Sequence, residues 1–140
     1  MKKRQCLLLS AVLSAAGVLS GCATAPPPAP APHCCGEILA ESFCRNKPQE
    51  FTRPLSGAMK KEFGESEFKN SREKVCKAMG DPVRKSFVGK LTHPFLDIDL
   101  WKITFERKNA EGKTIVQDAL FQVVSITEGG ESKVISFGFL

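Results

Sequence analysis

The hydrophobic pattern of this chain changes period at Gly80-Asp81-Pro82, and that change constrains the fold more than any other feature. Before it, apolar residues recur at helical spacing. Phe68, Val75, Cys76 and Met79 share a face of residues 66–79, and Ile38, Leu39 and Phe43 share a face of residues 37–44. Pro48 bars simple continuation of the earlier helix, and a further short helix is predicted over residues 54–63. Gly80 can take a positive-φ cap and Pro82 cannot continue a helix, so the last helix stops there. Beyond that point apolar and polar residues alternate, which predicts strands near residues 83–91, 98–107, 114–126 and 133–139. Asn109-Ala110-Glu111-Gly112 and Glu128-Gly129-Gly130-Glu131 are short, glycine-containing separators that suit hairpins, so the sheet is antiparallel. Helices followed by strands imply an α+β fold, with N-terminal helices packed on a curved four-stranded antiparallel sheet. Alternation puts Trp101, Ile103 and Phe105 on one face, the one expected to meet the helices.

The start of the chain has a different character. Lys2, Lys3 and Arg4 precede an apolar run over residues 7–20, which is 14 residues long. A bilayer-spanning helix needs ~20. The run ends in Leu19-Ser20-Gly21-Cys22, and this order resembles the lipobox of a bacterial lipoprotein signal peptide. The resemblance implies that residues 1–21 are removed and that Cys22 carries lipid, which attaches the chain to a membrane. It also implies outer-membrane sorting with the domain facing the periplasm, since Ala23 stands where aspartate would favour inner-membrane retention in the enterobacterial pattern. Residues 22–33 then form a lipidated cysteine and a Pro/Ala-rich tether, holding five of the nine prolines and suited to extended polyproline II. Residues 34–140 are expected to form a single α+β domain.

The formal charge of +5 overstates the basicity of the mature chain. Without Lys2, Lys3 and Arg4 the 20 basic residues become 17 against 15 acidic ones. The remaining charges are interspersed and form no basic stripe, which argues against a nucleic-acid partner.

Several stretches of the folded part resemble the small bacterial domains of the nuclear transport factor 2-like superfamily. They are residues 51–63, the helix end Lys77-Ala78-Met79-Gly80-Asp81-Pro82-Val83, the alternating strands, and the closing Lys133-Val134-Ile135-Ser136-Phe137-Gly138-Phe139. That resemblance implies a cystatin-like cone with a pocket between helices and sheet, and it leaves the chemistry open because the superfamily includes enzymes, binders and adaptors.

Four cysteines remain for the folded part: Cys34, Cys35, Cys44 and Cys76. An oxidising compartment predicts a disulfide. Residues 35 and 44 of one helix lie ~13 Å apart along its axis, beyond a bridge, and a vicinal bond would be strained. The expected bridge therefore joins Cys76 to an N-terminal cysteine, Cys35 first and Cys44 next. His33-Cys34-Cys35 lacks the paired spacing of a metal centre, so no metal or other cofactor is expected. His93, Asp97 and Asp99 form an acid/base group near the first strand connection, most simply turn-capping carboxylates with a solvated histidine. Asp118 is expected on an outward-facing strand position. Trp101, Phe105, Phe121, Phe137 and Phe139 are the expected strand core, and the same residues, Trp101, Phe105 and Phe121 foremost, are the expected lining of a pocket. The resulting expectation is a lipid-anchored envelope protein whose non-catalytic domain binds a ligand or another envelope protein. Its alternatives are an outer-membrane assembly accessory and a small pocket enzyme using a strand carboxylate.

Overall fold

The computed structural model describes residues 34–140, so the signal segment, Cys22 and the tether lie outside the described residues. Four helices come first: α1 (Cys35–Cys44), α2 (Pro48–Thr52), α3 (Gly57–Glu62) and α4 (Glu65–Met79). Four strands follow: β1 (Asp81–His93), β2 (Leu96–Lys108), β3 (Thr114–Glu128) and β4 (Glu131–Phe139). They pair antiparallel in the order β1-β2-β3-β4, as the hairpin separators predict.

Local chemistry sets the helix ends. α1 closes with Asn46 at φ 54°, with the Asn46 N–H donating to the Phe43 carbonyl and the Lys47 N–H to the Ser42 carbonyl at 2.9 Å, a Schellman end built on asparagine. α2 has no counterpart in the sequence pattern; Pro48 occupies its first turn and needs no N–H partner there. Ser56 caps α3 by accepting from the Met59 N–H at 3.3 Å. At α4 the Glu67 carboxylate reaches back to the Gly64 N–H at 3.0 Å, half of a capping box, since glycine has no side chain to supply the other half. α4 ends at Gly80, whose φ is +99° and whose missing side chain lets the Glu106 carbonyl approach to 2.2 Å of where a Cβ would stand.

α1 lies against the sheet with Leu39 and Ala40 fully buried, and meets Trp101, Ile103 and Phe105 of β2 with Phe121 and Val123 of β3 in one core. Register irregularities between Pro82 and Arg84, between Phe87 and Gly89, and between Val124 and Ser125 bend the sheet around this helix. The connection between α2 and α3 is tied to the last strand: the Val134 N–H donates to the Pro54 carbonyl at 2.9 Å and the Ser56 N–H to the Val134 carbonyl at 2.8 Å. The opposite sheet face is mixed: Leu100, Val116 and Leu120 lie on it beside a polar group in which Thr104 donates to Asp118 at 2.6 Å and Lys102 stands at 3.4 Å from the same carboxylate.

Candidate functional site

Phe43, at the C-terminal end of α1, is the hub of an aromatic cluster. Its ring lies 6.4 Å from Phe68, 6.2 Å from Phe121 and 5.2 Å from Phe139, centroid to centroid. Phe51 extends the cluster, 4.7 Å from Phe68 and 5.0 Å from Phe137, and Phe63 closes it 4.9 Å from Phe137. Rings meeting edge to face leave wedges between them, and here they line a half-open cavity of about 160 Å³ between α4 and the β3–β4 pair. Its wall is almost wholly phenylalanine, with Val75, Ser71 and Arg72 from α4 completing it.

Arg72 holds the rim by bonds of its own. Its Nε donates to the Phe43 carbonyl at 2.8 Å and its Nη2 to the Cys44 carbonyl at 3.4 Å, so a cation serves the open carbonyls of the last turn of α1. The guanidinium also stands 5.7 Å from the centre of the Phe43 ring. Guanidinium carries five N–H groups, so donors remain beyond those two bonds.

Of the three residues expected foremost to line a pocket, Phe121 does so. Phe105 is fully buried behind the Phe43 ring at 6.3 Å, and Trp101 sits at the other end of α1. Phe137 and Phe139, the other strand aromatics expected there, also line it, whereas the rings that the sequence pattern missed, Phe51 and Phe63, come from α2 and the end of α3. Their only signal was that phenylalanine is the commonest aromatic in the chain, 10 residues against one tryptophan and no tyrosine.

The N-terminal end of α1 is polar. Gly36 lies so close to β2 that a Cβ there would stand 2.6 Å from the Asp99 Cβ and 2.9 Å from the Trp101 Nε1. Asp99 is therefore buried, 2% exposed, and not the solvated turn-capping carboxylate that its position near a strand connection suggested. The reason is register: Asp99 shares the inward face with Trp101 and Ile103. Its Oδ1 and the Trp101 Nε1 have no hydrogen-bond partner among the described residues. Asp97 pairs with Lys90 at 2.9 Å across the hairpin, and His93 is exposed in the turn. Asp118 is exposed, and the Thr104 hydroxyl holds its carboxyl below the usual range. These carboxylates do not line the aromatic cavity.

All four described cysteines are unpaired thiols in the structure. Cys35 donates to the Ser132 carbonyl at 3.4 Å, beside the β3–β4 turn. Cys34 opens α1, where burial raises its thiol pKa, the Glu37 backbone partly offsets that and the Asp99 carboxylate adds to it. Cys44 closes the same helix beside Arg72, and Cys76 lies one turn along α4 from Arg72, in a cleft shared with Asn46. The helix axis thus separates Cys35 from the neighbourhood of Cys76 by about 13 Å, and it is Cys44 that stands there. Burial, then the Glu41 carboxylate, pushes the Cys44 thiol up to about 11. Among the described residues no three histidine, cysteine or acidic side chains converge as a metal site, and no helix is long and apolar enough to cross a membrane.

No family model and no curated protein matches the chain. Among solved structures, a protein from Xanthomonas campestris described as a calcium/calmodulin dependent protein kinase II association domain aligns at a TM-score of 0.42 and 11% identity. The alignment covers 74% of this chain and 79% of that one. The intermembrane space region of chloroplast protein ARC6 aligns at 0.40 and 12% identity, covering 75% of this chain and 87% of that one. Scores of this size carry no functional argument; the α+β assignment stands on the strand pairing and helix order above.

Proposed function

We propose that this chain is a lipid-anchored envelope protein, held by Cys22 at the outer membrane, whose periplasmic domain binds a small apolar ligand without catalysis. The observation that carries the ligand reading is the phenylalanine-walled cavity of about 160 Å³ with Arg72 at its rim. A cavity of roughly 150 Å³ has room for a benzene-sized ring, and the open side of this one leaves a way in. Arg72 supplies the polar handle that fixes orientation in such sites, so a ring or short acyl chain ending in a carboxylate fits best. No carboxylate or thiol that could do acid/base work lines the cavity, which is why the reading includes no reaction. Helices before a four-stranded antiparallel sheet, with a cavity between them, are also what a nuclear transport factor 2-like cone would have. The basic start and Leu19-Ser20-Gly21-Cys22 support the anchor.

The test is a titration with benzoate, hexanoate and benzene, followed by the ring resonances of the phenylalanines. Saturable shifts, tighter for the carboxylates and weakened toward benzene by Arg72→Gln, are expected. Val75→Phe should fill the space and abolish binding while the circular dichroism spectrum is retained. If no probe saturates and Val75→Phe merely raises the melting temperature, the cavity is a packing void and the ligand reading is wrong. Cys22→Ala tests the anchor separately, by loss of the chain from the membrane fraction.

A further inference from the structure

We propose that the tip of the β1–β2 hairpin, Leu91 with Pro94 and Phe95, is a second membrane contact that enters the lipid interface beside the acylated Cys22. The inference rests on the anchor reading above. Phe95 is 80% exposed and Leu91 60% exposed. With exposed Pro94 between them, they put three apolar side chains in water at one hairpin tip, a cluster and not an isolated exposed residue. Nor is the tip a loose loop. Thr92 pairs with Asp97 and His93 with Leu96, Lys90 bridges to Asp97 at 2.9 Å, and the Phe95 ring leans on His93 at 5.7 Å. The charges of the hairpin itself, Lys90 and Asp97, are paired with each other, and in the β3–β4 turn at the same end Glu131 is paired with Lys133 beside Glu128.

Topology places this tip at the end of the domain from which the tether leaves. Antiparallel order puts the β1–β2 and β3–β4 turns at one end of the sheet, and α1 begins there, with Cys35 on the Ser132 carbonyl and Gly36 against Asp99. Eleven residues lie between Cys22 and Cys34, a reach of at most about 43 Å at 3.3–3.6 Å per residue. Attachment through that reach makes the second contact intramolecular, so two apolar side chains need no independent membrane affinity. The β2–β3 turn at the opposite end is Asn109-Ala110-Glu111-Gly112-Lys113, with no large apolar side chain to offer. The β1–β2 tip and the β2–β3 turn therefore differ in what they can offer a bilayer, and the apolar tip shares its end of the sheet with the start of α1.

The experiment uses the full acylated chain in phosphatidylethanolamine–phosphatidylglycerol vesicles whose acyl chains carry bromine as a quencher. Phe95→Trp is compared with Ala110→Trp at the far turn, both exposed positions that accept a ring without disturbing the core. Trp101 is 6% exposed and supplies the same background in both. The Phe95→Trp chain is expected to lose most of its added fluorescence to brominated lipid and to resist aqueous iodide, with the reverse for Ala110→Trp. The mass of the N-terminal peptide is read on the same sample. An acylated Cys22 with an iodide-quenched indole at position 95 overturns the hairpin contact and leaves the anchor standing; an unacylated Cys22 overturns both. Protection from both quenchers assigns the tip to a protein surface, a second copy or a partner, and also overturns the proposal.

Discussion

At its C-terminal end α1 buries Phe43 among the rings of Phe68, Phe121 and Phe139 and leaves a cavity beside them. At its N-terminal end the same helix brings Gly36 onto Asp99 and Trp101 so closely that no Cβ fits. One end is built from large planar groups whose edges cannot fill space, and the other from the smallest residue meeting a carboxylate and an indole. Dispersion holds the first, and a missing atom there costs contacts in proportion to volume. The second depends on fit, and one added atom costs as much as several removed elsewhere. The first end has the room that the proposed ligand needs, while the second fixes where the described chain begins.

The largest expected effect tests the aromatic end. Phe43→Ala should cost about 3–5 kcal/mol in denaturant titration, a large part of an ordinary domain's stability. A loss near 1 kcal/mol would mean that the rings close over the gap and that the cavity is not a fixed feature. Next, protein from an oxidising compartment should yield a Cys44–Cys76 peptide in non-reducing mapping, worth ~3–4 kcal/mol in the chain-entropy model for the loop of residues 44–76. A Cys35–Cys76 peptide would contradict the separation of the two ends. Gly36→Ala should cost about 1–3 kcal/mol from overpacking, more than the ~1 kcal/mol that alanine gains over glycine in a helix. A stabilised Gly36→Ala would show that the polar end is looser than its geometry.

The smallest effect is a pH slope in the reduced protein. The Cys44 thiol titrates at about 11 when folded against an ordinary 9.0, because burial disfavours the thiolate. The unfolded chain therefore loses this proton first, so stability is fully present below pH 9 and falls as pH rises through the window from 9 to about 11. Cys44→Ala should flatten that part of the profile in urea melts, and so should oxidation to a Cys44–Cys76 bridge. An unchanged slope in both would place Cys44 in contact with water.

Element boundaries were legible because each rests on a few neighbouring residues. Residues 66–79 are the helix α4 (Glu65–Met79), the two glycine-containing separators are hairpin turns, and Gly80 ends the helix at positive φ. Alternation likewise assigned Trp101, Ile103 and Phe105 to the buried face. Two residues carried more than the pattern gave them. Pro48 read as the bar to continuing the first helix, which ends at Cys44, and it also opens α2, because the Schellman turn at Asn46 redirects the chain just before it. Asp99 read as a solvated turn carboxylate, although the alternation that buries Trp101 carries it inward as well.

The sequence by itself determined the period of each segment, the places where the chain turns and the inward face of the sheet, since these follow from backbone chemistry over a few residues. The lipobox resemblance at Cys22 is also a local reading. Only the tertiary structure decided that Phe51 and Phe63 wall a cavity that Trp101 does not reach, that Cys44 and not Cys35 shares the neighbourhood of Cys76, and that Phe95 and the start of α1 lie at one end. Those outcomes depend on distances between segments far apart in the chain, and such distances are set by how helices and sheet pack together.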